Sequence, residues 1–355
     1  MYYPVETRIT PLTTIRRERL LPTRGQVLVR PGEVVGANDV VARCQLPGDL
    51  LVVDVARALG VRRERVGKFL RKAVGDPVQA DELLAAPRGL LGRFRRGCRA
   101  PVDGRIAAIR AGVVLIEAAA STLELTAHIR GQVTNVMPNL GVVISTSGAL
   151  IQGVWGSGGE AGGVLKVLVD NPQKPLRARA IDVSCHGTLL VGGRLQDKQA
   201  LQQAIEARVR GIIVGSVSAE LIPDLRALPL PVLITEGFGT LPMSPYTFSL
   251  LQANLGREAM ISADTQTRWD VKRPEVVIPL RAEEMPQEKP GPMPLEVGTR
   301  VRVVYGPHLG AMGHVTDLPA LPQVVESGGR LSVAEVELEK EGKVLVPLAN
   351  LELIR

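Results

Sequence analysis

Polar and apolar residues alternate through much of the N-terminal third. Gln26-Val27-Leu28-Val29-Arg30 has the period of two of a half-buried strand, and Pro31-Gly32 is a turn signal after it. The period changes over about 54–73. Asp54 is placed to cap a helical turn over Val55-Ala56-Arg57-Ala58-Leu59, and Gly60 to end it. From Arg62 to Lys72, Val66, Phe69 and Leu70 fall at helical spacing among Arg62, Arg63, Arg65, Lys68, Arg71 and Lys72. Two short helices around a glycine fit a helix-turn-helix or a helical insertion in a β-domain, and the insertion is the expectation. Residues 121–175 read as β-rich, with strands over Gly131–Val136 and Leu140–Ile144 around Pro138-Asn139. The glycine-rich stretch 153–164 leads into a strand-like run, Val164–Val169, without a Walker lysine, so a hairpin or interface loop is expected there.

Residues 176–268 alternate strand and helix. Gly187–Gly193, Gly211–Ser216 and Pro231–Gly237 are strand-like. Helices are expected over Asp197–Val209, from a Ser218 cap to about Ala227, and over Pro245–Leu255. This order predicts a small parallel α/β domain. Pro279, Pro286, Pro290, Pro292 and Pro294 make 269–295 read as a Pro-rich linker to a last module, 296–355. The expected fold class is multidomain, β-rich α+β.

A phrase recurs in the first segment. Gly32-Glu33-Val34-Val35-Gly36-Ala37-Asn38-Asp39-Val40-Val41-Ala42 is echoed by Gly75-Asp76-Pro77-Val78-Gln79-Ala80-Asp81-Glu82-Leu83-Leu84-Ala85, and Ala100-Pro101-Val102-Asp103-Gly104-Arg105-Ile106 follows. These phrases resemble the two halves of a barrel-sandwich hybrid, the fold of biotinyl and lipoyl carrier domains. The resemblance implies a barrel-sandwich-like domain over 1–120. It also places the carrier lysine on a hairpin shortly before the Ala-Pro phrase. That place holds Arg88, Arg93, Phe94, Arg95, Arg96 and Arg99, and no lysine occurs between Lys72 and Lys166. No covalent biotin or lipoate is expected. Arg side chains suit phosphate or carboxylate and Phe94 offers a stacking face, so the loop is a candidate anion or nucleic-acid site.

The last module carries Val301-Arg302-Val303-Val304-Tyr305-Gly306-Pro307 and then Gly310 and Gly313. This resembles a KOW module, with Gly306, Pro307, Gly310 and Gly313 as the motif residues. The resemblance implies an SH3-like β-barrel that binds RNA or protein. Glu335, Glu337, Glu339 and Glu341 make its second half acidic, which favours protein contact.

Composition narrows the classes. Apolar residues are 45% and aromatics 3%, so aliphatic side chains must fill the cores. Residues 1–110 hold 21 Lys/Arg against 11 Asp/Glu, a net +10 in a chain of net +7, which points to an anionic partner. Cys44, Cys98 and Cys185 are isolated, and His128, His186, His308 and His314 lack metal-ligand spacing. Neither a disulfide framework nor a metal site is expected, and the chain reads as cytoplasmic without a membrane span. The ends of the α/β strands place Gly215, Ser216, Thr235, Glu236 and Gly239 where such sheets bind ligands. No second carboxylate or histidine accompanies Glu236 there. The expected function is therefore a non-enzymatic adaptor or docking protein of a larger assembly, one containing nucleic acid. It needs no cofactor. The alternative is a small-ligand sensor or enzyme using those strand ends.

Overall fold

The computed structural model describes residues 5–86, 97–265, 273–280, 294–325, 328–339 and 341–354. It is β-rich, with several sheets and no closed barrel among the described residues. The largest sheet has eleven strands. Its order is Trp155–Gly156, Val232–Phe238, Gly211–Val217, Thr188–Leu195, Glu160–Val167, Glu258–Ser262, Glu275–Pro279, Gly141–Gln152, Gly131–Met137 and Val34–Val35. Ile9–Leu20 also pairs with Gly141–Gln152.

The strands Glu160–Val167, Thr188–Leu195, Gly211–Val217 and Val232–Phe238 run parallel. Gly211–Val217 is buried at every position, as a continuous apolar run covered on both faces should be. Asp197 caps the helix Lys198–Glu206 by accepting from the Gln199 N–H. Ser244 caps Pro245–Ala253 by accepting from Thr247. Both caps satisfy N–H groups the helix cannot. A 3₁₀ turn after Ser218 leads into the helix Ile222–Ala227.

Two features depart from the linear reading. Glu275–Pro279, expected within the linker, lies inside the large sheet between Gly141–Gln152 and Glu258–Ser262. Val276, Val277 and Ile278 are buried there, so a short apolar run without alternation is an inner strand. The parallel strands also share this one sheet with residues 9–20 and 131–152, and pairing crosses the boundary expected at residue 120.

The Gly-acid phrases do not pair with each other. Each closes onto its own second phrase. Gly32 N–H donates to the Val133 carbonyl at 2.7 Å and Val133 N–H to Glu33 at 2.8 Å. Gly75 N–H donates to Ile106 at 2.8 Å and Ile106 N–H to Asp76 at 3.0 Å. The acid of each phrase accepts from the backbone three residues earlier: Glu33 from Arg30, Asp39 from Gly36, Asp76 from Ala73 and Glu82 from Gln79. Ala127 N–H reaches Asp39, and Ala100 N–H reaches Glu82, both at 2.9 Å. The second phrase of the first module is therefore Ala127-His128-Ile129-Arg130-Gly131-Gln132-Val133. Even the β-bulges coincide, after Val133 in one and after Ile106 in the other.

The module of residues 50–118 thus sits inside a module of the same bonding scheme. Val40–Leu46 pairs with Ser121–Thr126, and Leu46 lies opposite Ser121 at the point where the chain leaves and returns. The inner module's strand pairings are all internal. Its core is its own, built from Val55, Val66, Val78, Leu84, Ile106, Val114 and Ile116 among others. Asp54 caps Val55–Leu59, and Gly60 ends that helix in the left-handed region at φ 66°. The stretch expected to be helical from Arg62 to Lys72 is a 3₁₀ helix, Arg63–Lys68, shorter because Leu70 is drawn into a bridge with Ala85.

The C-terminal strands form a six-stranded sheet ordered Val5–Thr7, Leu351–Ile354, Arg300–Val303, Met312–Asp317, Val333–Leu338 and Gly342–Pro347. The expected barrel is not closed: Val5–Thr7 and Gly342–Pro347 are its two edges. Val5–Thr7 pairs in parallel with Leu351–Ile354. Met312 and Ile354 join Ile9, Phe248 and Leu251 in the core of the large sheet, so this module is packed against the rest of the molecule.

Candidate functional site

Two places bear on the candidate residues: the strand pair Leu83–Ala85 with Cys98–Arg99 in the inner module, and the seam between the parallel strands and the C-terminal sheet. In the inner module Leu83–Ala85 pairs with Cys98–Arg99, which fixes the base of the hairpin. Arg88, Arg93, Phe94, Arg95 and Arg96 lie outside the described residues. Arg99 is exposed and donates from Nη1 to the Asp81 carbonyl. The equivalent hairpin of the outer module, between Leu46 and Ser121, carries the entire inner module.

At the seam, Arg302 is 97% buried by side chain and lies between two carboxylates. It donates from Nη1 to Glu236, from Nε and Nη2 to Glu352, and from Nη1 to the Thr235 carbonyl at 3.2 Å. Arg273 donates to the other Glu352 oxygen at 2.9 Å. The Ser244 backbone N–H donates to Glu236 at 3.0 Å, which ties the cluster to a helix start. Burial works against the Arg302 charge, but Glu236 and Glu352 outweigh it and hold its pKa above the ordinary arginine value. The guanidinium therefore stays charged.

The sequence-derived strand-end residues come together around this seam, though not as an open ligand site. Ser216 is fully buried and donates from its hydroxyl to the Gly239 and Leu241 carbonyls. Thr235 is 1% exposed and its hydroxyl reaches the Val214 carbonyl at 3.4 Å. A Cβ on Gly215 would lie 2.3 Å from the Met243 nitrogen, so glycine there permits close backbone packing. Gly239 takes φ 101° in an open turn. Beside the cluster lies a cleft of about 420 Å³ with Trp155, Phe238, Leu241, Val304 and Leu309 on its walls. Trp155 and Phe238 pack edge to face, 5.6 Å between centroids. Arg302 and Glu352 were missed in the sequence reading. An Arg on a strand and a Glu near the C-terminus carry no local signal of pairing across 50 residues.

In the C-terminal module Gly306 and Gly310 take φ 104° and 85°, and Gly310 N–H donates to the Val303 carbonyl at 2.8 Å. Pro307 is exposed in the turn between them. Gly313 lies on the next strand, where a Cβ would fall 2.4 Å from the Glu337 carbonyl.

A smaller polar cavity, about 60 Å³, lies where the outer module meets the large sheet. Arg17 is paired with Glu275 and Arg19 with Glu160 along its wall. His128, in the left-handed region at φ 64°, points its Nδ1 toward Glu160 at 3.9 Å. Burial pushes its pKa below the ordinary histidine value; Glu160 opposes this and Arg19 adds to it. Cys44, Cys98 and Cys185 are buried, and burial, with Asp54 nearby, raises the Cys98 thiol. Among the described residues no helix is long and apolar enough to cross a membrane.

No protein-family model matches this chain, and no curated protein matches it.

Proposed function

We propose that the protein is a non-enzymatic adaptor that docks onto a larger, nucleic-acid-containing assembly through its inner module. One observation carries the reading. Residues 50–118 hold 14 Lys/Arg against 7 Asp/Glu, a net +7 equal to that of the whole chain, while all other residues hold 29 of each. The positive charge is thus concentrated in a module with its own core, entered and left at adjacent points. A field concentrated this way attracts an anionic surface without disturbing the rest of the fold. The barrel-sandwich-like scheme, lacking a carrier lysine at its hairpin, serves here as a scaffold for contact. The KOW-like segment, acidic in its second half, supports a protein contact at the other end of the molecule.

The test is sedimentation of a native lysate. The intact protein should migrate with large particles, and neutralising Arg88, Arg93, Arg95 and Arg96 to Gln should shift it toward the light fractions. An intact protein found only in the light fractions would contradict the reading. A small-ligand sensor is the second reading, favoured by the 420 Å³ cleft beside Glu236. It requires ligand-induced stabilisation that Glu236→Gln abolishes. Against it stands the pairing of Glu236 by Arg302 and Ser244.

A further inference from the structure

Arg57, Arg62, Arg63, Arg65, Lys68 and Arg71 are all exposed. None of them has an ion-pair partner among the described residues. Lys72, one residue on, is paired with Glu82, and the outer module's Arg17 and Arg19 are paired with Glu275 and Glu160. Exposed Arg16, Arg24 and Arg30 also lack an ion pair among the described residues, so what sets this stretch apart is density: six exposed, unpaired cations fall within residues 57–71.

Geometry arranges these cations. Arg63–Lys68 is a 3₁₀ helix, and in such a helix residues three apart stack above one another, about 6 Å per turn. Val66 is buried at 1% exposure, with Phe69 packed beside it in the module's core. The buried line fixes the rotation, so Arg65 and Lys68 stand one turn apart on the solvent side, and Arg62, the extended residue at the helix start, precedes them to make a ridge of three. The Arg63 backbone lies against the turn at Gly112, where a Cβ would come within 3.1 Å of it. The sequence showed these cations as the polar face of an ordinary helix. The three-residue turn converts them into a line of charges.

We infer that this ridge, with Arg57, Arg63 and Arg71 beside it, binds the phosphate backbone of duplex nucleic acid independently of sequence. The inference rests on the docking role proposed for the inner module and names its ligand. Arg forks match phosphate oxygens, and contacts of this kind position a protein on the backbone without reading bases. Base stacking needs an exposed aromatic. The one aromatic among the module's described residues, Phe69, packs into the core. A duplex, whose bases are inside, fits a ridge of charge alone.

The experiment measures binding of the full chain to a short random-sequence DNA duplex by anisotropy, across about 50 to 200 mM salt. Polyglutamate serves as a second probe. The logarithm of the binding constant should fall linearly with the logarithm of salt, by about 0.9 for each phosphate contacted. The triple variant R62Q/R65Q/K68Q should flatten that slope by about three such contacts. Its melting temperature should be unchanged, since all three side chains are exposed. An unchanged slope in the folded variant overturns the ridge. Binding to polyglutamate but not to duplex overturns the phosphate ligand and leaves a cationic docking module standing. Binding to neither overturns both.

Discussion

Gly32 and Gly75 take the same left-handed backbone, Glu33 and Asp76 close the same turn, and Val133 and Ile106 exchange the same two bonds. The two modules nonetheless face different surroundings. The outer one is built into the eleven-stranded sheet, and its Arg17 and Arg19 are neutralised by carboxylates from neighbouring strands. The inner one pairs only with itself, and its exposed cations from Arg57 to Arg71 have no ion-pair partner among the described residues. The backbone scheme needs glycine and an acid at set places. It leaves charge, hairpin content and neighbours free to vary, so one scaffold anchors the molecule while its copy carries the candidate docking surface.

The glycines of the second phrases give the largest contrast. A Cβ on Gly131 would lie 2.3 Å from the Ser145 carbonyl, and one on Gly104 would lie 2.1 Å from that of Glu117. Each alanine substitution should cost about 1–3 kcal/mol through forced backbone shifts. Gly131→Ala should lower the main unfolding transition in urea. Gly104→Ala should affect only a transition belonging to the inner module. Equal effects of both on a single transition would show that the two modules unfold as one.

The turn acids should give a smaller and matched pair of effects. Asp39 and Glu82 each accept one backbone hydrogen bond in an exposed turn. Replacing either by alanine should lower its own module's transition by less than the glycine substitutions do, with Glu82→Ala also releasing Lys72.

His128 should separate the modules by pH. It occupies the place held by Pro101 in the inner module, and burial lowers its pKa in the fold. Because the neutral form is favoured when folded, this contribution is fully present above the unfolded value of about 6.5. It is lost as pH falls below that value toward the folded one. His128→Asn, which tolerates the left-handed backbone, should flatten that part of the acid limb in the main transition and leave the inner module's transition unmoved.

Much of the local structure was legible in the sequence. Asp54 and Asp197 lie at real helix starts, and Gly60 at a real end, because caps are local chemistry; Ser218, also expected as a cap, makes no side-chain capping bond. The Gly-acid phrases were visible for the same reason. Their true partners were not equally visible. Ala127-His128-Ile129-Arg130-Gly131-Gln132-Val133 shares only its Ala and Gly with Ala100–Ile106, and its first phrase lies some 90 residues upstream. Strand Glu275–Pro279 was hidden by the prolines around it. Its apolar run has no alternation, because both faces are buried. At the candidate site Glu236 stood out as a charge at a strand end. Its partner Arg302, 66 residues away, is set by tertiary packing alone.

The nested arrangement and its role are tested together by removing the inner module. Leu46 and Ser121 are directly paired, so residues 47–120 can be replaced by an Asn-Gly turn, which suits adjacent antiparallel strands. The shortened chain should retain the main cooperative melting transition and lose its salt-sensitive binding to duplex DNA. A shortened chain that fails to fold would contradict the independence of the inner module. A folded one that still binds duplex as the intact protein does would contradict its role in docking.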